Sequence, residues 1–160
     1  MSSITVSVAG PADLDALVAS VCALFAEDAG AHDPWMDVQW PVREGAAYYA
    51  SIADNPACLL AVAHDTSLDG GRVVGHLIGK ISEPVSVRPS RFAILESLRV
   101  APEARNQGVG SLLVDEFFRW ARQHQAEQAS VTAFAANTAA QRFYTRHGFA
   151  PTSLTLRAAV

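Results

Sequence analysis

Residues 92–121 read FAILESLRV, then APEARNQG, then VGSLLVDEFFRWA, and the hydrophobic period changes inside that stretch. Phe92 to Val100 is an apolar run of the kind that forms strands. From Val109 the period is helical: Val109, Leu112, Leu113, Glu116, Phe117, Trp120 and Ala121 share one face, and all but Glu116 are apolar. Between the two lies a turn with Arg105, Gly108 and Gly110. A helix that opens on Gln107-Gly108-Val109-Gly110-Ser111 presents unpaired backbone N–H groups with few side chains in the way. Its dipole and the Arg105 guanidinium attract anions, so strand, turn and helix together predict a pyrophosphate cradle. Two rival motifs fail on spacing. No Lys-Ser/Thr follows the glycines as a P-loop requires, and the third glycine of a dinucleotide fingerprint is Leu113.

On these residues, ESLRVAPEARNQGVGSLL resembles the acetyl-CoA signature of the GNAT superfamily of N-acyltransferases: a strand ending in Leu-x-Val, a short loop, Arg/Gln-x-x-Gly-x-Gly/Ala and a helix. The family's second signature is matched by Asn137, Ala140, Tyr144, Gly148 and Phe149. Motif resemblance covers Phe92 to Phe149, and the N-terminal half follows the family in its order of elements. It implies one domain over residues 1–160, an α/β fold with a central mixed, mostly antiparallel sheet flanked by helices and splayed at the cofactor-binding strand. It also implies an N-acetyltransferase that moves the acetyl group of acetyl-CoA to a primary amine of a small molecule or peptide, by direct attack in a ternary complex and without a metal. The alternative is a non-catalytic acyl-CoA-binding or sensor module.

The resemblance assigns roles residue by residue. Leu98, Arg99 and Val100 border the pantetheine arm, where the family's strand bulges. Arg105, Asn106, Gln107, Gly108, Val109, Gly110 and Ser111 hold the pyrophosphate. Asn106 stands where the family commonly has Gly, and Asn tolerates left-handed geometry better than most residues. Asn137, Ala140, Phe143 and Tyr144 complete the wall. Chemistry adds two demands. An amine with a Lys-like pKa of ~10.4 is neutral in only about one molecule in 2,500 at pH 7, so a proton acceptor is expected, and the leaving thiolate gains from a proton donor. Glu96, a carboxylate in an apolar strand, is the expected acceptor; read from the residues alone, it equally suits a solvent edge or a pair with Arg99. Tyr144 is the expected donor, with a core tyrosine as its plain alternative. Asn137 also suits a helix N-cap before Thr138.

The 160 residues are half apolar, carry a formal net charge of −4 and have a sequence pI near 5.7. The chain is long enough for a sizeable core, and the charge argues against nucleic acid as a partner. No run suits a membrane span or a signal peptide, so a cytoplasmic location is expected. Cys22 and Cys58 read as reduced thiols, and His64 and His76 lack metal-like partners. In order, the pattern predicts a strand over 4–9, a helix over 14–28 ended by Gly30, and a helix over 42–53. Strands over 57–64 and 73–82 follow, joined by a hairpin turn at Asp69-Gly70-Gly71. After the long helix come a strand over 129–135, a helix over 138–147 and a last strand over 149–158. Leu154 and Leu156 on that last strand suggest sheet pairing in a homodimer. His32, Asp33, Trp35, Asp37 and Trp40 lie in the irregular segment between the first two helices, where the resemblance implies the border of the acceptor site. Asp33, Trp35 and Trp40 are candidate contacts for a cationic acceptor, and tryptophans that cap the core beside solvated acids are the plain alternative.

Overall fold

The computed structural model describes residues 3–67 and 70–160. Five strands form one sheet in sequence order. β1 (Ile4–Val8), β2 (Cys58–Asp65), β3 (Arg72–Ser82) and β4 (Phe92–Val100) are antiparallel neighbours. β5 (Gln128–Val131) is parallel to β4, a pairing that needs a crossover connection. The crossover is α4 (Val109–Gln123). On the other face lie α1 (Leu14–Leu24) and α3 (Trp40–Ile52), and α5 (Thr138–Arg146) follows β5.

Burial on both faces explains why β2 reads as a continuous apolar run. Leu59, Ala61 and Ala63 pack in the α4 layer, while Leu60 and Val62 pack with Leu17, Val21 and Tyr49 of α1 and α3. Of the expected α4 stripe, Val109, Leu113, Phe117, Trp120 and Ala121 are buried; Leu112 is 43% exposed and Val114 takes its place in the core. Close approach of α4 requires Gly79, because a Cβ there would lie 3.0 Å from Phe117 Cδ2.

Four expectations need correction. Gly30 does not end the first helix. It adopts φ −60° and donates its N–H to the Phe25 carbonyl across a π-turn, Phe25–Ala29, so the helical run continues through α2 (Gly30–His32) and stops at Asp33. The third helix begins at Trp40, two residues early, because Pro41 fits a first turn that needs no N–H. β5 stops at Val131 rather than Ala135, since its partner diverges there. No last strand forms: residues 151–160 have no regular structure, and Leu154 and Leu156 are exposed. The alternating apolar pattern found no strand edge, and the tail is held instead by Arg157 Nη1 donating to Asp33 Oδ2 at 2.9 Å. Asp69 of the expected hairpin turn lies outside the described residues; Gly70 and Gly71 adopt the positive φ such a turn uses.

The divergence comes from one residue. Ile78 pairs with Ser97 and Gly79 with Leu95, so Glu96 is an extra residue in β4, a bulge. Ala93 and Leu95 pack in the α4 layer, and so do Leu98 and Val100: the alternation of β4 slips by one at the bulge. Pairing with β5 ends at Leu95–Val131, leaving the rest of β4 unpartnered on that side.

Candidate active site

In the gap between the free half of β4 and the chain after β5 lies a cavity of about 880 Å³. Leu98, Arg99 and Val100 form one wall, Thr132 and Ala133 another, and the α4 entry and α5 close it. At the turn, Gly108 has φ 82° and Asn106 φ 60°, so the family's usual glycine is replaced by a residue that accepts the same geometry. The first bond of α4 runs from Leu112 N to Gly108 O, which leaves the N–H groups of Val109, Gly110 and Ser111, all on the cavity wall, without a helical partner. Gly110 is needed for packing: a Cβ would lie 3.1 Å from the Phe143 ring of α5. His147 Nδ1 donates to the Phe143 carbonyl, so its Nε2 accepts from the Ser111 hydroxyl at 3.0 Å. These donors and the open backbone fit a polyanionic acyl carrier such as acetyl-CoA.

Arg105 is placed differently from a free phosphate ligand. Its Nε donates to the Val100 carbonyl and its Nη2 to Glu27 Oε2, both at 2.9 Å. Arg99 Nη2 donates to Glu27 Oε1 at 2.7 Å. The hydrogen bond from Arg99 leads the effects that hold the Glu27 carboxyl below its ordinary range. Gln107 turns its side chain to the Glu103 carbonyl and does not line the cavity.

The π-turn supplies the facing wall. Asp28 Oδ1 accepts from Asn137 Nδ2 at 2.9 Å and lies 3.7 Å from His32 Nε2. Asn137 meanwhile caps α5, its Oδ1 accepting from Ala140 N at 3.0 Å, so one side chain ties Asp28 to the start of α5. Tyr144 lines the same cavity, its ring edge-on to Phe143 and Phe149. Burial, with the Asp28 charge second, pushes its phenol up to about 12, so Tyr144 keeps its proton throughout the neutral range.

The acetyltransferase (GNAT) family matches residues 20–149. The chain belongs to that family. Acetyl transfer from acetyl-CoA is the family's chemistry. GNAT-fold likeness extends over nearly all of the chain. A transcriptional regulator from Bacillus halodurans C-125 is 25% identical with a TM-score of 0.73, covering 98% of this chain and 99% of that one. The aminoglycoside antibiotic 6'-N-acetyltransferase AAC(6')-Ih from Acinetobacter baumannii is 19% identical with a TM-score of 0.74, covering 98% and 97%. A predicted acetyltransferase with acetyl-CoA from Clostridium acetobutylicum is 14% identical with a TM-score of 0.73, covering 98% and 96%. The likeness to these last two is one of fold. No curated protein matches the chain.

Against this GNAT frame, several expected residues stand outside the cavity. Glu96 is exposed on the bulge, the first residue past the last β4–β5 pair. Its charge reaches Tyr49 and Cys58, adding to the burial that raises both groups. Asp33 is 5% exposed and occupied by Arg157 and the Trp35 N–H. Trp35 is 88% exposed, and Trp40 packs against Phe25 and Tyr48 beside a separate shallow hollow that also holds Glu44. His76 is fully buried, its ring nitrogens each 2.7 Å from a serine hydroxyl, Ser20 of α1 and Ser97 of β4. Among the described residues no grouping could hold a metal ion, and no helix is long and apolar enough to cross a membrane. Sequence reasoning missed Glu27 and Asp28, whereas His32, from the segment between the first two helices, does line the cavity. Their signal was two consecutive carboxylates near the end of a helical run, where the helix dipole disfavours them; a broken local rule of that kind marks function more often than fold.

Proposed function

We propose that this chain transfers the acetyl group of acetyl-CoA to the primary amine of a small molecule or peptide, by direct attack in a ternary complex. The observation that carries the reading is the single cavity that joins the unpaired N–H groups of the α4 entry to the Tyr144 phenol. Bound acetyl-CoA supplies an electrophilic thioester carbonyl. The N–H groups of Val109, Gly110 and Ser111 take the pyrophosphate, and the unpartnered edge of β4 beyond Leu95 offers backbone partners to the pantetheine arm and the thioester oxygen. Tyr144, protonated at neutral pH, donates to the departing thiolate. Glu96 takes the proton of the attacking amine through water, from the point where β4 and β5 part. Asn137 orients the reactants from the α5 cap. The test is thiol release from acetyl-CoA across polyamines, aminoglycosides, amino acids and short peptides. Release with one amine class supports the reading. No release with any, in a protein that acetyl-CoA stabilises against heat, sinks it and leaves a binding module.

A further inference from the structure

Glu27 and Asp28 are neighbours on the π-turn and both line the cavity, but their surroundings differ. Glu27 is matched by Arg99 and Arg105. Asp28 has only the neutral Asn137 amide and, at 3.7 Å, the His32 ring; its Oδ2 makes no hydrogen bond to another described residue, and no arginine or lysine of the described chain pairs with it. Its side chain is 31% exposed, open to the cavity rather than sealed beneath it. Arg142 and Arg146, also on the wall, have no carboxylate partner among the described residues. The cavity therefore carries unmatched charge of both signs, cationic for the phosphates and anionic at Asp28.

We propose that Asp28 anchors a cation of the acceptor, so that the preferred substrate carries a second ammonium group besides the amine that is acetylated. This rests on the acetyl-transfer reading above. A carboxylate beside an ammonium favours its charged form, so contact with the reacting nitrogen itself would hold back the neutral amine that attack requires. The same contact with a second ammonium costs nothing at the reacting nitrogen and orients it. That second charge also compensates Asp28, the one charged group that acts on Tyr144. No bond is made or broken at Asp28; its work is binding and alignment.

The experiment compares putrescine with butylamine, equal in carbon chain and different by one ammonium, on wild type, Asp28→Asn and Asp28→Glu. Thiol release is measured at saturating acetyl-CoA, and each amine is titrated calorimetrically into the CoA-loaded protein. Wild type should prefer putrescine by about tenfold or more in kcat/KM, chiefly through KM, the size of one charge-assisted contact. Asp28→Asn should bring the ratio near one with the KM for acetyl-CoA unchanged, and Asp28→Glu should restore part of it. A wild-type ratio near one, or a preference that survives in Asp28→Asn, overturns the proposal. If neither amine is acetylated, the transfer reading is what fails for them, and the calorimetric arm decides the anchor alone. Putrescine binding that depends on Asp28 upholds it, and equal binding of both amines removes it.

Discussion

The α4 layer and the α1–α3 layer cover opposite faces of one sheet and are built differently. Every buried residue in the α4 cluster is apolar. The buried polar residues of the described chain, Ser20, Asp33 and His76, all belong with α1 and the segment after α2. The first layer is fixed by pattern: an amphipathic stripe, close packing, and two glycines of β3 that let it approach, Gly79 and also Gly75, where a Cβ would lie 3.2 Å from Leu113. The second is fixed contact by contact, through a histidine between two serines, a π-turn and a tail tied by one arginine. Apolar patterning decides where α4 lies, and individual polar contacts decide which side chains of the π-turn face the cavity.

The largest expected effect breaks the first layer. Phe117→Ala should cost about 3 to 5 kcal/mol, read as a fall in the unfolding midpoint, because Phe117 is fully buried against Gly79 and Trp120. A loss below about 1 kcal/mol would contradict the close packing claimed for α4. Acid should attack the second layer instead. Burial, with Arg99 second, lowers His76 from 6.5 to about 3, so folding favours its neutral form. Its contribution is complete above pH 6.5 and is lost toward pH 3, at about 1.4 kcal/mol per pH unit. Unfolding measured between pH 7 and pH 4 should therefore be steeper for wild type than for His76→Gln, and identical slopes would remove His76 as the cause.

At the site, Tyr144→Phe should lower kcat about a hundredfold with acetyl-CoA affinity nearly intact; wild-type turnover would end its role as donor. Glu96→Gln should lower kcat about tenfold and flatten its pH dependence, a smaller effect because the bulge holds this carboxylate outside the cavity wall. Unchanged rates at pH 7 would remove it. The smallest change is Arg157→Ala, which frees the tail from Asp33: amide exchange over residues 151–160 should accelerate with little change in melting temperature. Unaltered exchange would show that the tail is held by something else.

Much of the first layer was legible in the sequence. The helical stripe from Val109, the glycine turn and the Asn137–Phe149 motif are local patterns, and local patterns survive folding. The bulge was legible only through resemblance, because nothing in FAILESLRV marks which residue is extra until its neighbour strands set the register. The run FAEDAGAH looked like a helix end with Gly30 as its stop; the wider π-turn kept Gly30 helical and carried Glu27 and Asp28 to the cavity. The tail alternates like a strand, yet a strand exists only with a partner edge. Asp33 read as an acceptor contact because its ion pair with the exposed Arg157 spans most of the chain.

The bulge makes substitution and deletion at position 96 different experiments. Changing Glu96 to another residue alters a charge and leaves the strand in phase. Removing it leaves Leu95 followed directly by Ser97, so strict alternation returns with Leu98 and Val100 still in the α4 layer and every β3 pair intact; what is lost is the bulge at the point where β4 and β5 part. One inserted residue thus marks where the sheet opens rather than which side chains are buried. Leu98 and Val100 keep the apolar layer, and Ser97 and Arg99 the opposite face, with or without it.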